Sequence, residues 1–129
     1  MRLWPTMMIA FFTLAAPAAA QEWRMAPEYD VLLTSWEIQP QVIRLKAGEA
    51  VRLRFVNNSG QTHRFMAGDF FRNAELRPLD RSRVRGGTIR LAPFDDATIA
   101  LVPKAGRYKV SGDNVFRRVL GMSATIVVQ

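Results

Sequence analysis

The sequence predicts an all-β protein, a β-sandwich of seven to eight strands with one short helical or irregular insertion. Short segments in which apolar and polar residues alternate recur at intervals of roughly ten residues, and Gly, Pro and Asn turn residues separate them. No helical segments alternate with these strands, which argues against the βαβ units of nucleotide-binding folds. We therefore expect two antiparallel sheets that enclose one core.

The clearest strand is residues 51–56, in which apolar and basic side chains alternate strictly. A period of two residues indicates a strand with one face in the core and the other in solvent. The inward residues should be Val51, Leu53 and Phe55, and the outward residues should be Arg52 and Arg54.

Asparagine, serine and glycine at residues 57–60 predict a turn into a strand at residues 62–66, so that the two strands form a hairpin. Residues 70–84 lack the strand pattern, and residues 73–76 are expected to make about one helical turn before Pro78. The remaining predicted strands cover residues 29–33, 41–45, 88–91, 98–102, 107–110 and 124–128.

Residues 1–20 are predicted to be a secretory signal peptide, which leaves a single domain over residues 21–129. Arg2 gives a positive start, residues 7–16 are an apolar run that contains one threonine, and alanines at residues 18–20 supply a small-residue cleavage pattern. The run is well short of the ~20 residues that span a bilayer, so we expect no transmembrane anchor after cleavage. Export predicts a periplasmic or secreted location.

The composition excludes several kinds of chemistry. The chain has 129 residues, no cysteine and a single histidine, with a formal net charge of +7. Without cysteine there is no disulfide framework, thiolate zinc site or cysteine nucleophile. One histidine and scattered carboxylates offer no acid and base pair that the sequence places together, so we do not expect an enzyme.

The histidine and one methionine form a candidate metal site. His63 begins a predicted strand just after the asparagine turn, and Met122 immediately precedes the last strand. Residues from opposite ends of a sandwich can meet at one edge, and imidazole and thioether groups both suit copper. The alternative is a hydrogen-bonded histidine and a core methionine. Met66 should face away from His63, because three positions along a regular strand reverse the side-chain direction.

Residues 41–71, 101–110 and 120–128 together resemble the bacterial periplasmic cupredoxins related to plastocyanin and pseudoazurin. These segments contain an asparagine turn followed by histidine, a proline-glycine turn before tyrosine, and Gly-Met before the last strand. The resemblance implies a cupredoxin-like Greek-key sandwich. It also implies that His63 stands at the first ligand position of a type 1 copper site and Met122 at the axial position.

The chain departs from that family at the other two ligand positions. The family's cysteine, four residues after Tyr108, is Gly112 here, and Asn114 and Arg117 stand where the second histidine is expected. Because the thiolate makes the blue-copper bond, we expect no copper cofactor. Arg117 and its neighbour Arg118 also place positive charge where a cation would sit.

These observations predict an exported binding or accessory protein with a cupredoxin fold that has lost the type 1 cysteine and second histidine. The alternative is a copper-binding periplasmic protein, either a copper(I) carrier or an electron-transfer partner, that uses His63 and Met122.

The segment without strand pattern is rich in arginine. One interpretation is a solvated loop, and the other is a docking surface for an acidic protein partner, because charge complementarity steers association. Nucleic acid is not expected, since export removes the chain from it and aromatic residues do not interleave with the arginines. The five candidate docking residues are Arg72, Arg77, Arg81, Arg83 and Arg85.

Overall fold

The computed structural model describes residues 2–3, 9–10, 23–112 and 122–129. Helix α1 covers Gly68–Asn73, and a 3₁₀ helix covers Pro78–Arg83. The described residues also form ten strands: β1 (Glu28–Leu33), β2 (Ile38–Gln39), β3 (Val42–Leu45), β4 (Val51–Asn57), β5 (His63–Met66), β6 (Glu75–Leu76), β7 (Thr88–Leu91), β8 (Asp96–Val102), β9 (Gly106–Ser111) and β10 (Ser123–Val128).

The strands form two sheets of five. The first sheet has the order β2-β1-β4-β8-β6, and the second has the order β3-β10-β9-β5-β7. This arrangement confirms the predicted all-β sandwich. The described residues contain more strands than the seven to eight expected, because β2 and β6 have only two residues each and are too short to show a period.

Two strand pairings are parallel, so the expectation of a wholly antiparallel sandwich is wrong at these positions. β1 runs parallel to β4, with Val31 opposite Phe55, and β10 runs parallel to β3, with Ile126 opposite Ile43. Alternating side chains report which face of a strand is buried. They do not report the direction of the neighbouring strand, and the sequence therefore could not show these pairings.

β4 follows the predicted alternation. Its arginines lie on the outer face of the first sheet, where Arg52 Nη1 is 3.7 Å from Glu28 Oε2 and Arg54 Nη2 is 3.2 Å from Asp96 Oδ2. The inward side chains are buried, and they are Val51, Leu53 and Phe55.

The predicted hairpin between residues 51–56 and 62–66 is wrong. β4 belongs to the first sheet and β5 to the second, so the short connection between them carries the chain from one sheet to the other. An Asn-Gly turn sequence indicates that the chain changes direction. It does not determine whether the next strand pairs with the last one.

The helical insertion is present, but its position differs from the predicted turn at residues 73–76. Helix α1 ends at Asn73, where Ala74 takes an extended backbone conformation, and β6 then pairs with β8. Pro78 begins the 3₁₀ helix, where the missing N–H group is not needed. None of the helices in the described residues is long and apolar enough to cross a membrane.

Aromatic side chains join the two sheets. Phe55 of β4 and Phe65 of β5 have ring centroids 4.7 Å apart, and Phe71 lies 6.3 Å from Phe65. Phe70 extends this cluster to Tyr108 of β9 at 5.5 Å. Such tilted and edge-on pairs each stabilise a core by about 0.5–1.5 kcal/mol beyond area burial.

Candidate functional site

Three of the predicted site residues lie at one end of the second sheet. His63 begins β5, Gly112 follows the last residue of β9, and Met122 precedes the first residue of β10. β5 and β10 both run antiparallel to β9, with Ser123 at the start of β10 and Met66 at the end of β5 each opposite Ser111, the last residue of β9. His63 lies three residues before Met66, beyond the end of β9. The fold therefore brings His63 and Met122 to the same end of the second sheet, on the two strands that flank β9.

All three residues face the core. His63 and Met122 are each 0% exposed, and Gly112 is buried. The alternation continues along each strand, since Phe65 and Ala124 are also buried. Met66 lies on the other face of β5, half-buried and opposite Ser111, in keeping with the expected reversal from His63.

Met122 occupies the space beside Gly112. A Cβ atom on Gly112 would lie 2.7 Å from Met122 Cβ, 2.8 Å from its carbonyl oxygen and 3.3 Å from its Cε. The chain contains no cysteine, and the position that matches the family's cysteine has no room for a side chain. These residues do not fit a type 1 copper ion, and the type 1 copper site is lost.

The other predicted ligand positions, Asn114 and Arg117, lie outside the described residues, as does Arg118. Across residues 23–112 and 122–129, the structure holds no group of three or more histidine or carboxylate side chains that could bind a metal ion. His63 and Met122 therefore remain the candidate donors for any copper.

A buried polar network that the sequence reasoning missed fixes the chain before His63. The side-chain amide of Asn57 donates to the carbonyl oxygens of Gln61 at 2.7 Å, Leu91 at 3.2 Å and Ala92 at 2.9 Å. Ser59 Oγ donates to Asn57 Oδ1 at 2.8 Å. The only sequence signal was the Asn-Asn-Ser-Gly turn, which does not show that Asn57 points inward.

The structure separates the five predicted docking arginines by what they contact. Arg77 forms a bidentate pair with Asp80, with Nε 2.7 Å from Oδ2 and Nη2 3.1 Å from Oδ1. Asp80 is buried and also accepts a hydrogen bond from the backbone N–H of Ala100 at 2.9 Å. This pair anchors the 3₁₀ helix to β8. Arg72 instead makes an exposed pair with Asp69 at 3.1 Å.

The other three arginines are exposed. Arg81 and Arg83 lie on the 3₁₀ helix. The backbone of Arg85 pairs with the backbone of Thr88 across a tight turn. Two of these arginines, together with a third that the sequence reasoning missed, line a polar concavity of about 400 Å³. The lining residues are Ser82, Arg83, Arg85, Thr88 and Arg90. The alternation of side chains along β7 could have predicted that Arg90 points outward. The residues that lie next to it depend on the register between β5 and β7.

The outer faces of the two sheets differ in charge. On the first sheet, Arg52 and Arg54 have acidic neighbours. The outer face of the second sheet has no acidic side chain at any described strand position, and Arg64 stands directly opposite Arg90. Its cations are Arg44, Arg64, Arg90, Arg107 and Lys109.

The chain matches the family model of the cupredoxin-like domain over residues 5–128. Among solved structures it is similar to auracyanin B, with a TM-score of 0.56 and 16% identity over 81% of this chain and 89% of that one. It is also similar to reduced auracyanin from Roseiflexus castenholzii, with a TM-score of 0.57 and 12% identity over 81% and 97% of the two chains. A multicopper oxidase from Campylobacter jejuni gives a TM-score of 0.60 and 12% identity over 79% of this chain but 30% of the oxidase. No curated protein matches the chain.

Proposed function

The chain belongs to the cupredoxin-like domain family, and on that premise we propose that it is an exported binding or accessory protein that works without type 1 copper. The observation that supports this proposal is the packing of Met122 against Gly112, which fills the place where the family's thiolate would stand. Electron transfer through a blue-copper site depends on the copper–thiolate bond, and this chain has no thiolate to form it.

The placement of the titratable side chains supports a role other than catalysis. The single histidine is fully buried, and each carboxylate with a described ion pair binds an arginine, at an exposed position or, for Asp80, at a buried one. General acid–base chemistry needs a titratable pair within hydrogen-bond reach of a bound substrate. We therefore propose a binding role for this chain.

The visible absorption spectrum of the protein after addition of copper(II) tests the loss of the type 1 site. Purified monomer mixed with one equivalent of copper(II) should show none of the intense visible charge-transfer absorption that a copper–thiolate bond produces. An authentic cupredoxin treated in parallel provides the positive control. A blue colour from this monomer would contradict the proposal.

We propose that the binding partner is an acidic protein that docks on the cationic outer face of the second sheet. Arg44, Arg107 and Lys109 are exposed there, and no described strand position on that face carries an acid to neutralise them. Complementary charge raises association rates and suppresses wrong partners. Arg83 of the 3₁₀ helix lines the same concavity as Arg90 of β7 and extends the positive surface.

Poly-L-glutamate serves as a model acidic chain for a test of this docking face. Arg107→Gln with Lys109→Gln should weaken its binding and reduce the dependence of binding on salt. The matched control is Arg52→Gln with Arg54→Gln, which removes two charges from the ion-paired outer face of the first sheet. Equal weakening by the two double variants would contradict a docking role for the second sheet.

A copper(I) carrier is the second candidate function. It is favoured by the placement of His63 and Met122 at one end of the second sheet, both facing the core. Imidazole and thioether donors can bind copper(I) without a thiolate. Competition with a copper(I) chelator tests this candidate. One-to-one binding that is lost in His63→Gln would support the carrier over the copper-free protein.

A further inference from the structure

A polar concavity of about 400 Å³ opens between the 3₁₀ helix and the edge strand β7. Its walls contain three arginines and two hydroxyl side chains: Ser82, Arg83, Arg85, Thr88 and Arg90. Every charged group in this lining is a cation. The hydroxyls also donate hydrogen bonds, so the lining is suited to an acceptor-rich ligand.

The rim of this concavity is held in a fixed shape. The backbone N–H groups of Arg85 and Thr88 each donate to the other's carbonyl oxygen, at 3.0 and 3.1 Å, and the two glycines between them have φ of 59° and 73°. Such positive φ values suit a two-residue hairpin turn of the I′ type. A Cβ atom on Gly87 would lie 2.3 Å from Gly68 Cα, so the turn packs closely on helix α1. A rim already in place lowers the entropy cost of binding.

The positive charges in the concavity have no acidic partner among the residues that the structure describes. Among the residues that the structure describes, Arg83, Arg85 and Arg90 form no ion pair with a carboxylate. Arg90 also lies opposite Arg64 in the β5–β7 register.

We infer that this concavity binds a phosphate compound that carries two or more negative charges, such as a diphosphate or a phosphate monoester. Guanidinium groups form planar forks that bind phosphate oxygens in pairs, and three of them line the same space. A single carboxylate has one charge and two oxygens and would leave most of these donors uncompensated. A phosphate has more oxygens and more charge, and therefore matches the lining better.

This site goes beyond the proposed function, although it shares Arg83 with the proposed acidic docking surface. The ligand could be a free phosphate compound or the phosphomonoester headgroup of a lipid, since both present the same chemistry to the concavity. Their binding is measured separately.

Calorimetric titration of the full chain with inorganic pyrophosphate tests the site. Arg83→Gln with Arg90→Gln should weaken pyrophosphate binding by about tenfold or more, because each exchange removes a charge-assisted hydrogen-bonding fork. Both side chains are exposed, so the variant should fold. The matched control, Arg44→Gln with Arg107→Gln, removes two charges from the same sheet face at β3 and β9 and should change the affinity less than about threefold.

A lysine exchange separates geometry from charge. Arg83→Lys with Arg90→Lys keeps both charges but loses the planar forks, so it should bind pyrophosphate more weakly than the wild type and more tightly than the glutamine variant. Equal effects of the pocket pair and the control pair would overturn the site, because they would show a general cationic field. The site would also be overturned if neither pyrophosphate nor phosphatidic acid bound in a way that depends on Arg83 and Arg90.

Vesicles identify the source of the phosphate. Phosphatidic acid presents a phosphomonoester, whereas phosphatidylglycerol at matched surface charge presents a diester. Preference for phosphatidic acid that is lost in the Arg83→Gln and Arg90→Gln variant supports a lipid ligand. Pocket-dependent pyrophosphate binding without that preference supports a free phosphate compound. The copper(II) and poly-L-glutamate experiments do not depend on the pyrophosphate and vesicle results. The phosphate site and the proposed function can therefore fail separately.

Discussion

Gly112 and Met122 pack directly against each other where β9 ends and β10 begins, and a Cβ atom on residue 112 would lie 2.7 Å from Met122 Cβ. Met122 is fully buried at this contact. The glycine is therefore required by the packing of the methionine. A metal-binding side chain could return to this position only if Met122 moved.

Gly112→Ala should destabilise the protein by about 1–3 kcal/mol, because the added methyl group overpacks this contact. Chemical denaturation of the variant measures the change. Gly60→Ala is the matched control, since a Cβ atom there meets only Phe94 Cε2 at 4.0 Å, and its effect should stay within about 0.5 kcal/mol. A cost of Gly112→Ala no larger than that of Gly60→Ala would contradict the proposed contact.

Asn57→Ala should destabilise the protein by about 2–3 kcal/mol. The exchange removes the buried amide that donates to the carbonyl oxygens of Gln61, Leu91 and Ala92, which are then left without this donor. Asn58→Ala changes an exposed side chain in the same turn and should cost about 0.5 kcal/mol or less. Similar costs for the two exchanges, measured by urea denaturation, would show that Asn57 does not fix the turn.

Asp80→Ala should cost about 3–5 kcal/mol, because Arg77 and the N–H of Ala100 lose their shared acceptor at a buried position. Asp69→Ala breaks the exposed pair with Arg72 and should cost no more than about 1 kcal/mol. Thermal unfolding of the two variants gives the comparison. A small effect of Asp80→Ala would mean that the pair does not anchor the 3₁₀ helix.

The two faces of β4 could be predicted from the sequence, but its neighbouring strands could not. Local alternation was enough to place Leu53 inward and Arg54 outward, because burial of one face imposes a period of two on a single strand. The parallel pairing of β4 with β1 and the separation of β4 from β5 involve choices between distant segments. Those choices leave no local pattern in the sequence.

In the candidate site, too, the sequence indicated single residues but not the contacts that depend on strand pairing. The resemblance to cupredoxins indicated His63 and Met122, and the topology places both at one end of the second sheet. Arg90 was missed because its place beside Arg64 and in the arginine-lined concavity depends on the β5–β7 register. Arg77 was predicted as a docking residue, but its carboxylate partner makes it a structural one. Spacing alone could not distinguish a paired arginine from an exposed one.

Two substitutions of Met122 distinguish packing from copper binding. Met122→Leu preserves side-chain volume and should cost less than about 1.5 kcal/mol, whereas Met122→Ala leaves a cavity and should cost about 2–5 kcal/mol. If Met122 only packs, as a copper-free protein requires, neither variant should change copper(I) affinity measured against a competing chelator. Loss of copper(I) binding in the stable Met122→Leu variant would instead identify the sulfur as a ligand, because that exchange removes the thioether while it preserves the core. This outcome would replace the copper-free protein with the copper(I) carrier.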